Sequence, residues 1–277
     1  MEILAYVATG LLYVGLAIYF WRTQWAPAVA SGPDVAVRPA HGFEHYAILV
    51  PLALHAILLA RSLFAADGLH LGLANAISAI LWLTVLIYWL GNFVYHLDGL
   101  QALVLPLAAA ASMLPGLMPP AGALPNSEFA AFKLHLVIAM LAYSFFTIAS
   151  LHVVLMALVE RRLHDGTLTH VLQKLPPLLT MEALLFRIIW AGFILLTLTL
   201  GSGVFFSEEI FGKPAPVTHK TVFGVISWLI FAALLVGRHV YGWRGRVAVR
   251  WTLAGFLALV LAYIGSRFVL EVVLGRA

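Results

Sequence analysis

Eleven histidines stand in a chain of 277 residues of which only 10% are charged. Neutral imidazole carries a lone pair that suits haem iron and many divalent metals. An ionisable group deep in an apolar span is costly, which makes it a functional candidate. Three positions stand out. His55 lies midway along an apolar run, among Leu52, Leu58 and Leu59. His135 lies about two turns into another, in Phe132-Lys133-Leu134-His135, and His219 opens a third. At 1.5 Å per residue His135 is roughly 10 Å inward from Ser127 and His55 is near mid-depth. Both can face the outer half of one helical interior. The competing reading for each is a core histidine bonded to a Tyr, Ser or Asn of a neighbouring helix, such as Tyr143, Ser144 or Asn75. For His152, nearer the inner end of its run, that bland reading is stronger. His41, His45, His70, His96, His164, His170 and His239 fall at run ends or between runs, where solvated or interfacial roles suffice.

Other chemistry is thinly represented. The absence of cysteine excludes disulfides, thiolate metal sites and a Cys-x-x-Cys-His haem attachment in this chain. Any cofactor must be held by His, Met, Tyr, carboxylates or packing. Asp98, Glu128, Glu160, Glu182, Glu208 and Glu209 fall at run ends, so a mid-membrane carboxylate relay has no members there. Gly-rich phosphate loops, nucleophile elbows and His-Glu-x-x-His are missing. Thr197, Thr199, Gly201, Ser202 and Gly203 read as a small-residue packing face. Gly242-Trp243-Arg244-Gly245-Arg246 reads as an interfacial Trp among basic anchors.

The elements that position these residues follow from composition. With 63% hydrophobic residues and a mean hydropathy of +1.00, there is too little polar surface for a water-soluble globule. In lipid every backbone polar group must be satisfied internally, and runs of about twenty apolar residues select helices. The fold class expected is all-α, a polytopic transmembrane bundle of about eight spans forming a single integral membrane domain. The runs are Ile3–Trp21, Tyr46–Leu63, Leu71–Leu90, Leu100–Met118, Phe129–Val159, Ala183–Phe206, Thr221–Tyr241 and Val249–Val272. The first lacks a basic n-region and reads as a retained span rather than a signal peptide. Glu160–Glu182 holds Leu168, Val171, Leu172 and Leu175 at helical spacing, which predicts an amphipathic inner-surface helix near 163–175. Thr167 is its expected N-cap, Thr180 that of the sixth span and Ser127 that of the fifth. Ten Lys and Arg (Arg22, Arg38, Arg161, Arg162, Lys174, Arg187, Arg238, Arg244, Arg246, Arg250) fall on one side. Six (Arg61, Lys133, Lys213, Lys220, Arg267, Arg276) fall on the other. The positive-inside rule then predicts both termini outside. The net charge of +4 is spread over span ends, with no stripe or motif that would read nucleic acid.

The second half of the chain resembles a known family. Leu134-His135-Leu136-Val137-Ile138-Ala139-Met140-Leu141-Ala142-Tyr143 is similar to the helix of CcsA/CcmC-type cytochrome c assembly proteins that carries a haem-ligating His at its periplasmic start and a Tyr eight residues on. Gly192–Thr197 ending in Gly201-Ser202-Gly203, then Ser227–Phe231, Gly242–Arg246 and Ala262–Arg267, follow in the family's order. The resemblance covers about residues 130–270 and is closest to the YpjD-like inner membrane branch. It implies a multi-pass protein of the bacterial inner membrane placed in cytochrome c maturation. It further implies non-covalent, b-type haem handling, and contact with other cytochrome c maturation proteins. His135 and Tyr143 are the positions it carries over; His55 and His219 lie outside the matched motifs. Two departures stand beside it. Ser207–Lys220 has neither Trp nor Asp where haem-presenting members have a Trp-rich, Asp-containing segment, and Phe268–Ala277 has no His.

The leading expectation is thus a haem-handling assembly factor that binds the cofactor in the outer half of the bundle through His135, with His55 or His219 as second ligand. It holds a cofactor made elsewhere and need not catalyse a reaction. The alternatives are a transporter or regulatory subunit on the same scaffold that has lost haem presentation, and a structural subunit docked through its amphipathic helix.

Overall fold

The computed structural model describes residues 2–25, 43–65, 68–95, 99–119, 121–125, 127–164, 175–211 and 218–273. His41, His96, His170, Asp98 and Thr167 lie outside the described residues, as do positions 165–174 of the expected amphipathic helix.

The described chain is almost wholly helical, as its apolar runs require when no water is at hand to satisfy the backbone. The helices are α1 (Glu2–Phe20), α2 (Phe43–Ala47), α3 (Leu49–Leu63), α4 (Leu73–Tyr95), α5 (Gln101–Leu117), α6 (Ala130–His164), α7 (Leu178–Phe211), α8 (His219–Tyr241) and α9 (Arg246–Val260). α9 continues through π-type turns and one short α segment to Val273. A two-residue antiparallel hairpin, β1 (Phe64–Ala65) with β2 (Gly68–Leu69), pairs Phe64 with Leu69 and Ala65 with Gly68. Seven helices among the described residues are long and apolar enough to cross a membrane, and α5 is a shorter apolar eighth. The expected bundle of about eight spans is what forms.

Several expected boundaries move. α6 has 35 residues, about 52 Å at 1.5 Å per residue, against a hydrocarbon core of about 30 Å. It is longer than a membrane crossing requires. Its first helical residue is Ala130, with the Lys133 amide bonded to Phe129 O, so Phe129 rather than Ser127 opens it. α7 starts at Leu178, directly after Pro176-Pro177, so Thr180 is already inside the helix. Proline needs no amide partner and can open a helix as well as end one.

α6 is the central post. It packs most extensively on α7 and also lines α4 and α9; α1 lies along α5, α4 along α5 and α8 along α9. Small and hydroxylated residues let the helices approach, as is usual where lipid removes the hydrophobic drive between them. Ser144 of α6 donates to Ile80 O of α4 at 3.0 Å, and Ser227 of α8 to Gly255 O of α9 at 2.9 Å. At mid-depth Phe146 and Phe231 stack at 3.9 Å and 19°. Gly192 and Gly255 flank this pair, and a Cβ on either would lie 3.1 Å or 2.8 Å from a ring carbon. Leu4, Leu107, Leu134, Ile194, Leu229 and Leu257 are exposed around the outside, the surface that meets acyl chains. At the other end α8 closes at Gly242 in the left-handed conformation (φ 66°), which glycine takes without strain. There Arg238 donates to Glu182 at 2.6 Å, tying α8 to the start of α7.

Candidate functional site

The site grows from the start of α6. His135 is five residues beyond Ala130 and half-buried, with its ring against the Gly201-Ser202-Gly203 stretch of α7. Its Nδ1 is 2.8 Å from Ser202 Oγ. The Ser202 hydroxyl also lies 3.1 Å from Thr199 O, to which it donates. In the tautomer that keeps this bond, Nδ1–H donates to Ser202 and Nε2 carries the lone pair. Ser202, expected only as a packing residue, is a partner that orients the ring.

Below His135 lies a cavity of about 410 Å³, walled by α6, α7, α8 and α9. Its lining is mainly apolar, from Leu136 and Ala139 of α6, Leu200 and Val204 of α7 and Ala262 of α9. Tyr143 forms part of its wall and donates its hydroxyl to Leu259 O at 2.8 Å. That bond spans α6 to α9 just before the π-type turn Leu261–Gly265, and wide turns of this kind recur at functional sites. Tyr143 also borders a second, apolar cavity of about 290 Å³ shared with α4 and α5, so its ring is the partition between the two.

The cavity's charge is positive. Lys220, Tyr263 and Arg267 all line it. Lys220 Nζ is 5.4 Å from the Tyr263 ring centre and Arg267 Cζ is 5.9 Å from it, so the phenol lies between two cations. Arg267 Nη1 bonds Glu271 at 3.1 Å, while its Nε is buried without a hydrogen-bond partner among the described residues. The other oxygen of Glu271 accepts the Leu73 amide at the start of α4, at 2.9 Å. Lys220 and Glu271 were not singled out from sequence, and Tyr263 and Arg267 entered only within the Ala262–Arg267 stretch of the resemblance, without a role.

The expected site residues thus divide. His135 and Tyr143 share the cavity. His55 is buried elsewhere, among α1, α3 and α4, with Nε2 2.8 Å from Ser78 Oγ and Nδ1 3.5 Å from Tyr13 OH. Its partners differ from those foreseen, but the arrangement is that of a bonded core histidine. His219, the exposed first residue of α8, is not part of the cavity lining, although Thr218 and Lys220 on either side are. His152 lines a separate cavity of about 100 Å³ towards the other end of α6 and bonds Met181 O through Nε2 at 2.9 Å. No cluster of three or more His, Cys, Asp or Glu suited to a metal ion occurs among the described residues.

Residues 43–274 match the family model of the cytochrome C assembly protein, a longer stretch than the 130–270 legible from motifs. The chain is 34% identical over 139 residues to inner membrane protein YpjD of Escherichia coli (strain K12), covering 50% of this chain and 52% of that one. It is 31% identical over 142 residues to an uncharacterized 28.8 kDa protein of Azospirillum brasilense, covering 51% and 52%. It is 36% identical over 85 residues to the cytochrome c biogenesis protein CcsA of Prochlorococcus marinus (strain NATL1A), covering 31% and 27%. The chain spans about half the length of the YpjD relatives it matches. No solved structure matches. With seven membrane-length helices and a match over residues 43–274, this chain belongs to the cytochrome c assembly protein family.

Proposed function

We propose that this protein serves cytochrome c maturation at the bacterial inner membrane by holding haem, non-covalently, in the outer cavity, where His135 would coordinate its iron. The observation that supports the reading is His135 on the wall of a mainly apolar cup, its Nδ1 2.8 Å from Ser202 Oγ, so that Nε2 would be the coordinating nitrogen in the tautomer that donates from Nδ1. An axial histidine whose other nitrogen is held by a hydrogen bond is the usual arrangement at metal sites.

The lining residues fit the group. A volume of about 410 Å³ lies within the range of roughly 300–1,000 Å³ typical of small-molecule sites. Leu136, Leu200 and Val204 offer apolar surface to a macrocycle, and Tyr143 and Tyr263 offer aromatic faces. Lys220 and Arg267, with the unpartnered Arg267 Nε, offer charge-assisted donors for carboxylates. With no cysteine in the chain, retention rests on coordination and packing. Bound haem supplies an iron centre and its redox chemistry; the protein's own residues orient it, exclude water from its apolar faces and neutralise its acid groups. Partners in this work are the lipid bilayer and other maturation proteins.

The test is an absorption spectrum. Protein purified in mild detergent and supplied with haem should give a Soret band that is lost or shifted in His135→Ala and unchanged in His219→Ala. A wild-type spectrum without bound haem, or one indifferent to His135, overturns the assignment.

A further inference from the structure

At the end of α6 opposite His135 the molecule has a groove that the haem reading does not use. His135 and Arg161 are 26 residues apart on one helix, about 39 Å along its axis, so the groove sits at the other membrane edge. It is a space of about 680 Å³ between the last turns of α6, Leu178 at the start of α7 and the first turns of α9. Arg161 comes from α6, and Arg246 and Arg250 from one face of α9 four residues apart. Glu160 is the carboxylate in its wall, and Leu178 and Val249 supply apolar surface beside it. None of the three arginines is in an ion pair among the described residues, where the bridges are Arg238–Glu182 and Arg267–Glu271.

We propose that this groove binds the headgroup of an anionic phospholipid carrying two phosphates. Three guanidinium groups against one carboxylate leave a net charge of two, which two phosphates balance. Guanidinium donors match phosphate oxygens in bidentate geometry. The apolar flank decides between a lipid and a free anion: a soluble phosphate would use the arginines alone, whereas a phospholipid also lays acyl chains along Leu178 and Val249. Basic pockets between spans at a membrane edge are suited to such headgroups.

The full-length protein, extracted in mild detergent and delipidated, tests this by native mass spectrometry. The probes are a diphosphatidylglycerol, a phosphatidylglycerol and a phosphatidylcholine, with glycerol 3-phosphate as soluble competitor. One diphosphatidylglycerol should stay bound in preference to the other two lipids and resist the competitor. Its affinity should fall on the order of tenfold or more in the Arg246→Gln, Arg250→Gln double variant. Val249→Trp, which keeps every charge and fills the apolar flank, should weaken it too, and Arg22→Gln at a different span end should not. Equal binding of all three lipids, displacement by glycerol 3-phosphate, or indifference to both groove variants overturns the proposal. Because the readout is lipid bound per protein without haem, its outcome is separate from that of the His135 test.

Discussion

Two histidines of similar promise take different parts because of what touches them. His135 lines the outer cavity with its Nδ1 held at 2.8 Å from Ser202 Oγ. His55 is enclosed by Ser78 and Tyr13, which use both its nitrogens inside the core. Only the family resemblance, which carries over His135 and not His55, separated them in the sequence, since depth in an apolar run says nothing of which neighbour will satisfy a ring. This contrast is open to measurement. Ser202→Ala should keep the fold and weaken haem binding by roughly 10- to 100-fold, the usual effect of losing the group that orients a ligand; a titration followed at the Soret band reads it. His55→Ala should leave that band where it is and lower stability by about 1–3 kcal/mol, the scale for stranding a buried hydrogen-bonding partner. A haem defect in His55→Ala at unchanged stability would bring His55 back as a ligand. Lys220 escaped notice from sequence, and Arg267 gained no role beyond its place in the Ala262–Arg267 stretch, because cations near span ends are so common that the positive-inside count absorbs them.

At the scale of helices, the hydropathy pattern was nearly sufficient. Each long apolar run became a helix, since lipid leaves the backbone no other choice. The ends were less legible. Ser127 and Thr180 carry the right chemistry for caps, but Phe129 and Pro177 decide where α6 and α7 begin. The packing between helices was not legible at all, because glycine is compatible with many contacts until its neighbour is known. Gly255 shows this: an added Cβ would meet the Phe231 ring at 2.8 Å. Gly255→Ala is expected to lower the midpoint of thermal unfolding in detergent by an overpacking penalty of about 1–3 kcal/mol. Gly15→Ala, with open space around the added carbon, should leave the midpoint unchanged or raise it slightly. Equal effects at the two positions would refute the tight α8–α9 contact.

For the whole molecule the prediction concerns which way it faces. The count of ten cations against six predicts His135's cavity on the periplasmic side and the arginine groove on the cytoplasmic side. The chain has no cysteine, so single introduced cysteines report orientation without background. Glu128→Cys, on the exposed outer loop, should react with a membrane-impermeant maleimide in spheroplasts. Arg244→Cys should react only after permeabilisation, and the reverse pattern would invert the assignment. Tyr143, which borders the cavities on both sides, is tied through its hydroxyl to Leu259, and one turn deeper the Phe146–Phe231 stack occupies the midplane. These rings form a floor beneath the chamber, and the expectation that follows is that any cargo held there leaves by the doorway it came through, as from a receptacle on one face of the membrane rather than a conduit across it.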